Sequence, residues 1–252
     1  MRSAPLYLRI CEMAKIDLSL ILACYNEGST FEESVKKIVS VLKKLKKSWE
    51  IIFVEDKSQD ETKQTVKKLT LQIPNSRVIY HDKNQGRGKS VSDGIKAAKG
   101  KICGYLDVDL EVSADYISIF IDEIKKGTDM AIGKRFYEGG FKSLPRFLAS
   151  KIYSLAVNLL LGISISDTEA GYKFFKRARI LPLLSKIKSR GWFWDTEICA
   201  RAYLGRLKIG EVPVLFVRHP DKKSTVRLIP DSIDYVKNLV KFRSKLNQVS
   251  KA

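Results

Sequence analysis

The segment KICGYLDVDLEV, residues 101–112, joins a short apolar run to acids at alternate positions, Asp107, Asp109 and Glu111. The apolar run reads as a buried strand, and it follows a helical pattern that begins near Gly88 and ends by Gly100. The same pairing recurs upstream. DLSLILACY (17–25) is a strand before a helix over 29–47, with Phe31, Val35, Ile38, Leu42 and Leu45 on one face. Thr30 and Glu33 have capping-box spacing at the start of that helix. WEIIFVED (49–56) is a second strand before a helix over 60–71, and SRVIYHD (76–82) is a third. Beyond the fourth strand (101–109), residues 114–126 are helical and DMAIGKR (129–135) is a fifth strand. Strands alternating with helices predict βαβ units: an α/β, Rossmann-like fold with a mostly parallel central sheet flanked by helices.

The second half is less regular. PRFLASKIYSLAVNLLLGI (145–163) is a helix with a narrow polar stripe at Lys151, Ser154 and Asn158, apolar over most of its circumference. AGYKFFK (170–176) and KIGEVPVLFV (208–217) read as strands, FWDTEICARAYLG (193–205) as a helix, and 230–246 as a basic helix.

A length of 252 residues with 44% hydrophobic content suits one domain with a substantial core. Lys and Arg number 46 against 28 Asp and Glu, a net charge of +18, so the surface attracts anions: nucleic acid, an anionic membrane or phosphorylated substrates. Cys11, Cys24, Cys103 and Cys199 are far apart and form no CxxC pair, which argues against a zinc site or a disulfide framework and fits a reducing cytosol. No signal peptide is visible, and no run of about 18 apolar residues that would span a bilayer occurs.

Ligands of parallel sheets bind beyond the carboxyl ends of the strands. Those ends carry Tyr25, Asn26 and Glu27, then Glu55 and Asp56, then Asp107 and Asp109. If the fourth strand continues through 107–111, its three acids face one way, and such crowding calls for a cation. Hard oxygen donors suit Mg2+ or Mn2+. GRGKS (86–90) is not a phosphate-binding P-loop, because Lys83 stands where that loop needs a glycine.

Several segments, in order, resemble family 2 glycosyltransferases of the GT-A fold, of the dolichyl- or polyprenyl-phosphate sugar synthase type. They are LACYNEGSTFEESV, FVEDKSQDET, NQGRGKSVSDGIKAAKGKICGYLDVDLE, IGKRF, DTEAGYKFFKR and GWFWDTEICARAYLGRLKIGEVPVLFVRHPDKKSTVRL, covering about 17–230. The departures are Ala23 for a usual proline, Glu55 for aspartate, Glu61 for glycine, Ala170 for cysteine, Lys89 and Ser90 for small residues, and RHPDKKST in place of the mannosyl enzymes' final motif. That last departure favours a non-mannosyl enzyme.

The resemblance implies inverting transfer of a hexose from a nucleotide-diphosphate sugar, GDP-mannose or UDP-glucose in type, to dolichyl or polyprenyl phosphate at the cytoplasmic face of a membrane. It implies that Ala23, Tyr25, Glu27, Asp56, Asp107, Val108, Asp109, Glu111 and Arg135 bind the nucleotide sugar. Asp107, Asp109 and Glu111 would hold Mg2+ or Mn2+; Arg146, Lys173 and Arg218 would meet the acceptor phosphate; and Asp109, Arg135 and Arg218 would serve catalysis. A lipid phosphate, with a second pKa of roughly 6, needs no general base. The implied organisation is an extension over 1–16, a transferase domain over 17–229 and a basic helix and tail over 230–252. The apolar helix 145–163 and the bases beyond 221 would meet an anionic membrane surface, making the protein peripheral. Nucleic acid is not an expected partner. The alternatives are a soluble or cell-surface glycan acceptor, which requires a base, and a non-catalytic basic protein that binds nucleic acid or membrane.

Overall fold

The computed structural model describes residues 16–137, 144–218 and 228–249, without the side chains of 144–151, 228–232 and 247–249. The predicted alternation is present. β1 (Leu18–Cys24), α1 (Phe31–Lys44), β2 (Trp49–Glu55), α2 (Thr62–Gln72), β3 (Ser76–Tyr80), α3 (Arg87–Ala97) and β4 (Ile102–Leu106) follow one another. A one-turn 3-10 helix (Ala114–Tyr116), α4 (Ile117–Lys125), β5 (Met130–Tyr137) and α5 (Leu144–Leu161) come next. The chain continues through β6 (Tyr172–Lys176), α6 (Arg177–Leu184), α7 (Trp194–Leu204), β7 (Ile209–Phe216) and α8 (Leu228–Val249).

The seven strands form one sheet in the order β3-β2-β1-β4-β6-β5-β7. Pairing is parallel among β3, β2, β1 and β4 and between β5 and β7, whereas β6 runs antiparallel to both its neighbours. Strands buried on both faces explain the continuous apolar runs. One core holds Leu20, Phe53, Val35 and Ile38 against α1 and α4; the other holds Ile21, Val54, Tyr105 and Trp194 against α3 and α7. The aromatic-rich β6 fits beside β4 because Gly104 lies opposite Phe174, whose ring would be 2.7 Å from any Cβ there.

Three expectations differ from the structure. β4 ends at Leu106 instead of running through 109. The amide of Leu110 donates to the carbonyl of Asp107 (3.3 Å), Leu110 takes a left-handed φ of 56°, and Val108 turns into the core, so a tight turn replaces the extended alternation of the three acids. Thr30 makes no capping hydrogen bond; its backbone is already helical (φ −81°, ψ −7°), which takes its hydroxyl out of reach. The short α6, with Pro182 inside, is a helix that the sequence pattern leaves unassigned.

Close packing of α3 on α7 brings the chemistry-bearing ends of these helices together. Gly88, in the first turn of α3, touches Trp194: a Cβ at Gly88 would lie 2.2 Å from the Trp194 Cβ. Gly88→Ala is expected to destabilise the protein by about 1–3 kcal/mol through overpacking, read as a lower urea midpoint with unchanged slope.

Candidate active site

The rim at the carboxyl ends of β1 and β2 is stitched by side chains accepting from backbone. The amide of Asn26 (φ 53°) donates to Ser58 Oγ at 3.2 Å, that of Glu27 to Thr62 Oγ1 at 2.8 Å, and that of Gly28 to Asp60 Oδ2 at 3.1 Å. The Gln59 amide donates to Asn26 Oδ1 at 2.8 Å, and the Ser58 amide to Glu55 Oε1 at 2.6 Å. The acids and hydroxyls of the EDKSQDET segment therefore fix the loop that presents Tyr25 and Glu27, both half-buried beside the small Ala23. Glu55, in place of the usual aspartate, still serves as such an acceptor.

Asp56 lies deeper than Tyr25 and Glu27. It is buried, and its carboxylate accepts from the amides of Gln85 and Gly86, both at 2.8 Å, while His81 Nδ1 lies 2.6 Å away. It holds the loop before α3 as the floor of the rim.

The turn after β4 places Asp107 half-exposed and Asp109 half-buried, with Asp109 Oδ1 accepting from the Glu111 amide at 3.3 Å. The chain then returns to the sheet: Val112 bridges Phe216, and the Val217 amide donates to the Glu111 carbonyl at 2.7 Å. The end of β7, followed by exposed Arg218, thus lies against this turn.

Among the described residues, no three His, Cys, Asp or Glu side chains gather as a metal-holding group. β4 ends at Leu106, so Asp107, Asp109 and Glu111 do not line one face of a strand as the alternation predicts. Asp107 and Asp109 still fit a divalent cation, since Mg2+ commonly takes one or two protein carboxylates and completes its shell with phosphate and water.

Behind the turn is a buried charge cluster centred on Asp195 in the first turn of α7. Asp195 Oδ1 accepts from Lys173 Nζ at 2.6 Å and from the Tyr105 hydroxyl, and Oδ2 accepts from Arg87 Nη1 at 2.6 Å. Burial alone would push the Asp195 carboxyl up, but Lys173 and Arg87 hold it below the usual carboxylate range. Lys173 is wholly buried and also donates to the Ala170 carbonyl. This overturns its expected role at the acceptor phosphate: its ammonium is spent inside the protein. Arg87 goes on to bind Asp107 and lies over the rings of Tyr105 and Trp192, 5.4 Å from each centroid.

A second pair sits along β5. Arg135 binds Asp167 with two parallel bonds, Nε to Oδ2 at 2.7 Å and Nη2 to Oδ1 at 2.9 Å, with Glu169 3.8 Å away. Burial, with Asp167 nearby, pushes the Glu169 carboxyl up to about 7 against the pull of Arg135. Arg146 lies in α5, but its side chain is outside the described residues. Arg87, Glu169 and Asp195 received no role from the sequence. Arg87 and Asp195 lie in the segments GRGKS and FWDTE, 108 residues apart, and only folding brings them together.

Removing one partner of a buried ion pair strands the other. Asp195→Ala is expected to cost about 3–5 kcal/mol by stranding Lys173, and adding Lys173→Met should recover part of that loss in urea unfolding.

The sequence profile of Glycosyl transferase family 2 matches residues 19–180. A dolichyl-phosphate beta-glucosyltransferase of Saccharomyces cerevisiae is 30% identical over 251 residues, covering 91% of this chain and 75% of its relative. Glycosyltransferase AglD of Haloferax volcanii is 29% identical over 206 residues, covering 80% of this chain; the match spans only 33% of that longer protein. Among solved structures, glucosyl-3-phosphoglycerate synthase from Mycobacterium tuberculosis, in complex with Mn2+, uridine-diphosphate and glucosyl-3-phosphoglycerate, superposes with a TM-score of 0.67 at 18% identity. The superposition covers 90% of this chain and 80% of that one. The chain belongs to Glycosyl transferase family 2 and is a glycosyltransferase with the GT-A fold.

Proposed function

We propose that the protein transfers glucose from UDP-glucose to dolichyl or polyprenyl phosphate, with inversion at the sugar C1. The supporting observation is the division of charge across one rim. Asp107 and Asp109 stand on the turn after β4, and the end of β7 that leads to Arg218 is hydrogen-bonded to the same segment at Glu111. The similarity to the yeast dolichyl-phosphate beta-glucosyltransferase favours glucose and a lipid phosphate.

In this reading Ala23, Tyr25 and Glu27 face the nucleotide, with Asp56 bracing the floor beneath them. Val108 anchors the turn, and Glu111 borders the sugar. Asp107 and Asp109 would hold Mg2+ or Mn2+, which would stabilise charge on the departing diphosphate. Arg146 and Arg218 hold the acceptor phosphate by charge-assisted bonds, and Arg135, with Nε and Nη2 on Asp167, borders it. An acceptor phosphate oxygen attacks C1 as the bond from C1 to the diphosphate oxygen breaks, releasing UDP. The dianionic phosphate supplies its own nucleophile, so no protein base takes a proton.

The acceptor's tail calls for a membrane surface. α5 exposes Ile152, Leu155 and Leu159 at helical spacing; α8 exposes Ile233, Val236 and Val240 likewise, and Tyr153 of α5 meets Tyr235 of α8 at 4.7 Å. Exposed Lys237, Lys241 and Lys245 form the next stripe of α8. Apolar faces edged by lysines suit the surface of an anionic bilayer. Among the described residues, no helix is long and apolar enough to cross a membrane.

Glu169 favours a second reading. A carboxyl with a pKa pushed up to about 7 beside Arg135 is suited to deprotonate a hydroxyl acceptor. Incubating the protein with Mg2+ or Mn2+ and UDP-glucose or GDP-mannose, in parallel with polyprenyl phosphate in anionic vesicles and with a glycan acceptor, separates the readings. The lipid-phosphate reading expects glucosyl lipid from UDP-glucose, with Glu169→Gln retaining transfer within about threefold, well short of the 10²–10⁴-fold contribution of a general base. Transfer to a glycan hydroxyl only, lost in Glu169→Gln, would support the second reading instead.

A further inference from the structure

Arg87 has two anionic partners that differ in how firmly they hold it. Its Nη1 donates to Asp195 Oδ2 at 2.6 Å, whereas Nε, at 3.0 Å, and Nη2 both donate to Asp107 Oδ1. The Asp195 side chain is 4% exposed and that of Asp107 is 46% exposed, with the Arg87 side chain between them at 15%. Solvent screens the Asp107 arm, and the buried Asp195 arm is sheltered. The rings of Tyr105 and Trp192 keep the guanidinium beside the turn. The other oxygen of Asp107, Oδ2, occupies the space that a side chain at Gly171 would fill: a Cβ there would lie 1.8 Å from it.

A divalent cation approaching Asp107 meets a guanidinium already on Oδ1. Two positive groups cannot share that oxygen without repulsion. A diphosphate arriving with the cation changes the balance, because it offers Arg87 two acceptor oxygens in the fork geometry that guanidinium prefers. We propose that Arg87 couples metal binding to diphosphate binding: anchored on Asp195, it is the counter-ion of Asp107 in the metal-free protein and exchanges Asp107 for the donor's diphosphate when the cation enters. The inference rests on the donor reading of this rim. It makes metal and nucleotide diphosphate bind cooperatively, and such coupling is reciprocal.

Binding of Mn2+ to the purified protein, followed by loss of the free-ion electron paramagnetic resonance signal with and without UDP, tests this without turnover. In wild-type protein UDP should tighten Mn2+ by at least about tenfold, within the usual range of such couplings. Arg87→Gln should bind Mn2+ alone more tightly than wild type, by about fivefold or more, and lose most of the UDP enhancement. Arg87→Lys keeps a charge beside Asp195 but gives up the fork, so it should fold and show reduced enhancement. If Arg87→Gln and Arg87→Lys bind Mn2+ alone no more tightly than wild type and keep the enhancement, Arg87 is no coupler. If wild type itself shows no UDP-dependent Mn2+ binding, the donor reading of the rim falls, and the coupling with it.

Discussion

The carboxylate of Asp195 is the point on which the site depends. It sits in the first turn of α7, where the helix N-terminus favours a negative charge. β6 runs antiparallel to β4, and their register sets Lys173 directly opposite Tyr105, so both side chains reach the same face of the sheet. α7 packs on that face through Trp194, whose indole meets the Tyr105 ring edge-on at 5.6 Å. A lysine ammonium on a fully buried strand position needs a full counter-charge, and Asp195 supplies it. Buried pairs of this kind are weak sources of stability, because desolvation offsets the attraction. What this one gives is position: Asp195 ties the central sheet to α7 and, through Arg87, to the turn carrying Asp107 and Asp109.

Much of the scaffold was legible in the sequence. Apolar strands such as LSLILAC are buried on both faces, and their short length between turn residues marks them as strands. The acids and hydroxyls of EDKSQDET were legible as a rim segment, though not as the scaffold of hydrogen bonds they form beneath Tyr25 and Glu27. The direction of β6 was not legible, because YKFFK reads the same in either orientation. That direction decides which residues face Tyr105, and hence the fate of Lys173. By charge alone Lys173 reads as a surface base; only the packing of α7 makes it internal.

The turn after β4 misleads for a related reason. Alternating acid and apolar residues are what a half-buried strand shows. Val108 nevertheless reaches the core from a turn, and Leu110 is packed there with a left-handed backbone. The pattern recorded which residues are buried correctly and the backbone that buries them incorrectly. The role of Arg87 is not legible in GRGKS, whose spacing does not fit a phosphate loop. That role lies in contacts 20 and 108 residues along the chain, which no local spacing encodes.

The Asp195 cluster positions the site more than it stabilises the fold, and these two roles part in one variant. Asp195→Leu combined with Lys173→Met removes both buried charges together, and packed apolar substitutes of similar volume often preserve folding. Calorimetric titration of UDP with Mn2+ into that folded double variant is the direct measurement. The account predicts a cooperative unfolding transition together with binding weakened by about tenfold or more, on the scale of a lost coupling between sites. Binding equal to wild type in a folded double variant would contradict it.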